Sequence, residues 1–297
     1  MINFMKYKRL YFLISLLFLL PSAYFLSRFG LKPSLDFTGG ALLELHVEPT
    51  HVQDITPAHI TEIARQVVKL NSVQQTDTNT FLIRAQEFDQ EHNQILQKEL
   101  KTFIGDPTEI HFATIGPTLG KELIRKTLTG ITLAAGFILL YVSFRFKDKK
   151  YGVCAILAML HDSLILLGVF SFLGQYRGIE VDALFVTALL TILSFSVHDT
   201  IVVYDRIRES LKQHPQLSFT SIVNQAVTQT LGRSVNNSLT IIFMLLSLYL
   251  LGGTTIKWFI FALLIGTISG TYSSTFTAAP LLVLWEDLKA RKTKPTP

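Results

Sequence analysis

Apolar residues along this chain collect into long unbroken stretches, not the short alternations of a soluble domain. Six stretches approach the roughly 20 residues that carry a helix across a bilayer. They are about Leu10–Phe29, Thr127–Phe144, Tyr151–Leu173, Ala183–Tyr204, Val235–Leu251 and Trp258–Trp285. The fifth reaches full length only if Ala226–Ser234, polar but poor in breakers apart from Gly232, continues its helix. Between the first two stretches, residues 30–126 change pattern. Ala41–Val47 reads as a strand, and Thr56-Pro57 opens a helix to about Leu70, with proline at the first turn where its missing N–H does no harm. Val73–Thr76 and Thr80–Arg84 read as a short hairpin across Asp77-Thr78-Asn79. Phe88–Ile104 has apolar residues at helical spacing, with Gly105 as its stop, and Glu109–Ile115 reads as a last strand. The order β-α-β-β-α-β is a split βαβ arrangement. The expectation is therefore an α-helical membrane protein with six transmembrane helices plus a small α+β, ferredoxin-like outer domain. Its expected parts are residues 1–29 (N-terminus and first span), 30–126 (outer domain), 127–285 (five-helix bundle) and 286–297 (basic tail).

Composition agrees with the pattern. Of 297 residues, 49% are apolar and only 16% charged, against about 25% in soluble domains. The net charge of +5 is local. Lys6, Lys8 and Arg9, the run Arg145–Lys150, then Arg206, Arg208 and Lys212, and finally Lys289, Arg291, Lys292 and Lys294 all fall on one side of a six-span chain. The opposite short connections hold only Arg177 and Lys257, so the positive-inside rule puts both termini in the cytoplasm. The N-terminus resembles a signal peptide, but its apolar run is long and no clean Ala-x-Ala site ends it, so it reads as a retained span. The single cysteine, Cys154, gives no disulfide framework. No P-loop, nucleophile elbow, His-x-x-x-His or cysteine pair occurs. Neither enzyme activity, nor a cofactor, nor a metal, nor a nucleic-acid partner is expected. His46, His51, His59, His92 and His111 lack metal spacing and read as solvated.

Charge and hydroxyl groups inside the apolar stretches carry the chemistry, because an intramembrane charge costs roughly 2.5–3.5 kcal/mol by insertion scales. Asp199, beside His198, sits about 7 Å inside the end of the fourth stretch at 1.5 Å per residue. It reads either as a buried functional carboxylate or as one wetted by headgroups, and stranding Ile201-Val202-Val203 in water argues against the second. Thr230, Arg233, Asn237 and Thr240 share one helical face of the fifth stretch. Arg233 matches Asp199 in depth, so it reads as the partner of that carboxylate or as a snorkelling anchor. His161-Asp162, mid-span in the third stretch, reads as a hydrogen-bonded staple or as part of a proton path. Gly266-x-x-x-Gly270, followed by Ser273 and Ser274, reads as close helix packing or as a hydroxyl-lined water path. Asp205–Glu209 reads as the surface cap of the fourth span. Asp36-Phe37-Thr38-Gly39-Gly40 reads as a tight turn or as a phosphate nest.

Several of these pieces carry a family likeness in order: Leu35-Asp36-Phe37-Thr38-Gly39-Gly40, Leu160-His161-Asp162, Ser196-Val197-His198-Asp199-Thr200 through Glu209, Arg233-Ser234, and Gly270-Thr271-Tyr272-Ser273-Ser274. Over nearly its whole length the chain resembles the SecD/SecF family of protein-export membrane subunits in the RND superfamily. The resemblance implies half of an RND-type assembly in the bacterial inner membrane, with its large loop periplasmic and SecD as partner. It implies work beside the SecYEG channel, with YajC and YidC as further candidates. The implied role is the use of the proton-motive force to draw a translocating polypeptide outward. The family's proton-linked Asp maps onto Asp199 and its Arg onto Arg233. His198 stands where members usually have Asn, and Ser194-Phe195-Ser196 where they often have Gly-Tyr-Ser. An extra imidazole at His198 is expected to shift the working pH or join the relay. An RND-type exporter of small molecules or lipids and a non-transporting scaffold are the competing readings.

Overall fold

In the computed structural model, residues 3–47, 56–77, 79–86, 89–104, 107–146 and 148–293 are described. The expected positions His51, Thr78, Phe88, Gly105, Lys147 and Lys294 lie outside them. The elements in chain order are α1 (Lys8–Phe29), α2 (Leu35–Thr38), β1 (Gly40–Val47), α3 (Pro57–Val67), β2 (Lys69–Asp77), β3 (Thr80–Gln86), α4 (Gln90–Ile104), β4 (Pro107–Ile115), α5 (Pro117–Arg145), α6 (Lys149–Arg177), α7 (Ala183–Gln213), α8 (Phe219–Leu251), α9 (Lys257–Ser273) and α10 (Ala279–Thr293). Residues Ser274–Ala278 between α9 and α10 form a π-helical turn. Two compact units result, residues 33–128 and the remainder.

The smaller unit is a four-stranded antiparallel sheet in the order β2-β3-β1-β4. Alternate residues Ala41, Leu43, Leu45 and Val47 of β1 and Phe81, Ile83 and Ala85 of β3 point to one face. Ile60 and Ala64 of α3 and Leu96 and Leu100 of α4 cover that face, as the period-2 and period-3.6 patterns require. The helix expected to reach Leu70 ends at Val67. Val68 is already extended (φ −134°, ψ 154°), because Leu70 pairs with Ala85 in the sheet. The hairpin is correspondingly longer than the expected Val73–Arg84. Asp89 opens α4: its carboxylate accepts from the His92 backbone N–H at 3.0 Å, and these bonds hold its pKa below the usual aspartate range.

Asp36, Gly39 and Gly40 are not a bare turn. Residues 35–38 form a single helical turn whose Ser34 cap accepts from the Asp36 N–H, and the glycines follow it. Gly39 and Gly40 have φ of +68° and +114°, and a Cβ on Gly40 would fall 2.6 Å from the Ala85 carbonyl oxygen. Gly40→Ala is expected to cost the sheet about 2–3 kcal/mol through backbone strain and displacement of β3. Gly116→Ala, where a Cβ meets nothing within 4 Å, should cost far less. Amide hydrogen exchange in β1 and β3 distinguishes the two.

The larger unit holds the membrane helices. Among the described residues six helices are long and apolar enough to cross a bilayer. All start or end beyond the expected stretches. α5 begins at Pro117 rather than Thr127. α8 begins at Phe219, capped by Ser218 accepting from the Ser221 N–H. α7 runs nine residues past Tyr204, so Asp205–Glu209 lies within the continuing helix. The sixth span is two α-helices joined by the π turn, with Tyr204 Oη donating to the Ala278 carbonyl at 3.1 Å. α6, α7 and α9 pack on one another, α1 lies along α6, and α8 against α7 and α9. At the basic end Lys8 pairs with Asp287 at 2.5 Å and Lys150 with Glu286 at 2.5 Å. The Asn224 Oδ1 there accepts the Met5 N–H at 2.9 Å.

Candidate functional site

Two buried carboxylates define the interior of the bundle, and their surroundings are opposite. Asp162, in α6, is fully buried. Ser196 Oγ of α7 donates to its Oδ2 at 2.6 Å, Ser269 Oγ of α9 to its Oδ1 at 2.6 Å, and Ser273 Oγ of α9 to its Oδ2 at 2.5 Å. His161 Nδ1 lies 3.0 Å from Oδ1. A buried carboxylate is tolerable when donors surround it, and here the donors come from three helices. The geometry is that of the hydrogen-bonded staple. The His161 ring stacks on Tyr272 with centroids 6.3 Å apart, and Tyr272 Oη donates to the Tyr11 carbonyl of α1 at 2.8 Å. His161 Nε2 is buried with no hydrogen-bond partner among the described residues.

Asp199 lies one turn beyond Ser196 on α7 and is 3% exposed. Its Oδ2 is enclosed and has no hydrogen-bond partner among the described residues. His198, Asp199 and Val202 of α7 and Arg233, Ser234 and Asn237 of α8 line a crevice of about 370 Å³. The expected Asp199–Arg233 pair is not closed. Among the described residues no ion pair joins them. The two groups face a common crevice without spanning it. Three further residues expected at the site have their hydroxyls occupied within their own helices. Thr200 donates to the Ser196 carbonyl at 2.9 Å, Thr230 to that of Ala226 at 2.9 Å and Thr240 to that of Asn237 at 2.8 Å. Ser274 likewise donates to the Thr271 carbonyl at 3.1 Å.

Small residues of α9 set the packing beside Asp162. A Cβ on Gly266 would fall 2.2 Å from Ile192 Cδ1, and one on Gly270 would sit 3.5 Å from Ser196 Cα. α9 therefore presses its small-residue face on α7 at the Asp162 junction. The sequence reading missed Ser269, although Ser269 and Ser273 stand at i, i+4 and so share a face with each other. It also missed the cross-helix ties at the charged end of α7. Arg145 Nη2 donates to Asp205 Oδ2 at 2.6 Å. Arg206 donates to Gln229 Oε1 at 2.6 Å from Nε and to Glu209 Oε2 at 2.6 Å from Nη1.

Comparison with known proteins places this geometry in a family. Residues 95–288 match the family described as "Protein export membrane protein SecD/SecF, C-terminal", and residues 24–50 match the "SecD/SecF GG Motif". The second match contains Gly39-Gly40. The "Protein translocase subunit SecF" of Thermobaculum terrenum is 43% identical over 97% of this chain and 95% of its own length. The "Protein translocase subunit SecDF" of Thermus thermophilus is 37% identical over 87% of this chain and 35% of its own length. The crystal structure of SecDF from that organism superposes with a TM-score of 0.82 at 33% identity, covering 96% of this chain and 39% of the solved chain. The matched segments, the shared six-helix layout and the glycine pair at the first strand together establish that the chain belongs to the SecD/SecF family of protein-export membrane proteins.

Proposed function

We propose that this chain is an accessory subunit of Sec protein translocation that, with SecD, uses the proton-motive force to promote the late passage of polypeptides across the bacterial inner membrane. Asp199 is the group that loads and releases the proton, and Arg233 is the counter-charge that approaches and withdraws. The observation that carries this reading is the contrast between the two carboxylates. Asp162 has its oxygens occupied by hydroxyls, whereas Asp199 has an unpartnered oxygen in a crevice that Arg233 also lines. A carboxyl without donors is poorly supported as an anion, and a mobile guanidinium reverses that. One proton crossing 100 mV supplies about 2.3 kcal/mol.

The partner is supported from two sides. The Thermus thermophilus relative carries SecD and SecF in one name. On α8, Arg233, Asn236, Asn237 and Thr240 are all exposed within a membrane-spanning helix. Lipid does not accept such a face, so a second membrane protein covers it. SecYEG, with YajC and YidC as further associates, is the channel this pair serves, and both termini lie in the cytoplasm with the ferredoxin-like unit periplasmic. A small-molecule exporter fits less well. The cavity at Val67, Val68, Lys69, Gln86 and His92 in the outer unit holds about 220 Å³, below the roughly 300–1,000 Å³ of ligand pockets.

The ion is tested in vesicles holding this chain, SecD and the channel. Export of a partly translocated polypeptide should evoke proton flux and stop when a protonophore collapses the gradient, with sodium absent throughout. Export that survives the protonophore but needs sodium overturns the choice of ion.

A further inference from the structure

Asp199 stands between two points at which α7 is tied to its neighbours. On the N-terminal side, Ser196 Oγ donates to Asp162 Oδ2 at 2.6 Å, and Asp162 also accepts from Ser269 and Ser273 of α9. On the C-terminal side, Tyr204 Oη donates at 3.1 Å to the carbonyl of Ala278, the last residue of the π turn. Tyr204 is fully buried. Its ring meets Phe146 edge-on with centroids 5.8 Å apart, and Tyr151 of α6 at 5.3 Å. A phenylalanine would fill that space with no hydroxyl to satisfy, whereas a buried phenol has to find a partner. Here the partner is the backbone of another span, at a π turn, a geometry that recurs at functional sites and where helices bend.

The places of the three residues around α7 follow from 3.6 residues per turn. Relative to Ser196, Tyr204 is rotated by about 80° one way and Asp199 by about 60° the other. Gly270 of α9 lies against Ser196, so the tied side of α7 faces the sixth span. Asp199 sits on the side that lines the crevice with α8. Two ties along one side fix the rotation of a helix that a single tie would leave free to turn. Rotation matters at the carboxyl. With side chains reaching about 5 Å from the helix axis, a turn of about 20° carries one by about 2 Å.

We propose that Tyr204 is a positioning residue for Asp199: bonded to the π turn, it sets the rotation of α7 and with it the place of the Asp199 carboxyl relative to Arg233. Tyr204 and Asp199 are about 140° apart around the helix, so Tyr204 acts through α7 and not by contact with the carboxyl. The proposal rests on the reading of Asp199 as proton carrier for its consequence in export. The positioning itself is measurable without export.

The test uses the full chain assembled with SecD in membranes. The infrared band of the Asp199 carboxyl, protonated or ionised, is the one that disappears in Asp199→Asn. Tyr204→Phe removes one hydroxyl and keeps the ring. It is expected to displace that band and, with SecD still bound, to lower polypeptide-evoked proton flux by roughly tenfold, in line with the cost of misplacing a reacting group by about 1 Å. Ser15→Ala is the control. It removes a hydrogen bond to the same π turn, between Ser15 Oγ of α1 and Thr277 Oγ1 at 3.2 Å, and leaves the Tyr204 tie in place, so band and flux should not change. A band that stays in place in Tyr204→Phe overturns the proposal whether or not flux falls, since a fall would then report lost packing alone. A band displaced as far by Ser15→Ala overturns Tyr204 as the specific tie. A displaced band with undiminished flux in Tyr204→Phe, while Asp199→Asn abolishes flux, overturns the positioning as a requirement of transport. A displaced band with flux indifferent to Asp199→Asn removes the proton reading and leaves the positioning standing.

Discussion

Asp199→Asn is expected to abolish proton-coupled export while leaving the complex assembled. The amide matches the carboxyl in shape but carries no exchangeable charge. Since Oδ2 accepts no hydrogen bond, the substitution removes no bond there, and the cost in stability should stay within about 1 kcal/mol. Flux evoked by a translocating polypeptide, measured in vesicles, should fall to the background of the channel alone. Co-purification with SecD should be unchanged. His198→Asn is the companion variant. His198 lines the same crevice, and the resemblance implies Asn at this position, so coupling should persist with a displaced pH profile. Normal secretion in the Asp199→Asn strain would leave a scaffold as the better description of the chain.

The six spans were legible because bilayer thickness imposes a length that an apolar run displays directly. Their ends were not, because those ends are fixed by bonds between helices. α7 continues past Tyr204 where Arg206 reaches Gln229 and Asp205 accepts from Arg145, and neither contact has a sequence period. α8 starts sixteen residues before the apolar run at Val235, since Ile222, Val223, Ala226 and Val227 are all fully buried against other helices. The π turn at Ser274–Ala278 is held by a Tyr204 hydroxyl from another helix, which no local propensity encodes. The outer unit was readable in element type and order, whereas Lys69 and Leu70, read as the end of a helix, lie in β2 because sheet pairing overrode helical spacing. At the site, residue types were visible but pairing was not. The donors that converge on Asp162, among them the Ser269 hydroxyl that the reading had passed over, were not legible in the sequence because they come from other helices.

The largest loss of stability is expected from Asp162→Ala. Three short hydroxyl bonds and an imidazole converge on this carboxylate, and hydrogen bonds to a charged group are worth about 1.5–3 kcal/mol each. The serines recover part of this, because a hydroxyl in a helix can donate to its own i−4 carbonyl. A net cost of about 2–4 kcal/mol remains, read as a lower midpoint in thermal unfolding of the solubilised complex. Ser196→Ala alone should cost about 1.5–3 kcal/mol. Adding it to Asp162→Ala should cost almost nothing further, since the acceptor is already gone, and that non-additivity is the mark of one shared network. Asp162→Asn separates the staple from a proton carrier. An amide keeps one acceptor oxygen but turns a donor toward the hydroxyls, so stability should fall while flux per folded complex persists. The reverse outcome, full stability with flux lost, would make Asp162 a second proton site. Loosening this tie also reaches Asp199. Ser196 is the α7 residue held by Asp162 and stands one turn before Asp199, so the expected effect of releasing it is a change in flux as well as in stability.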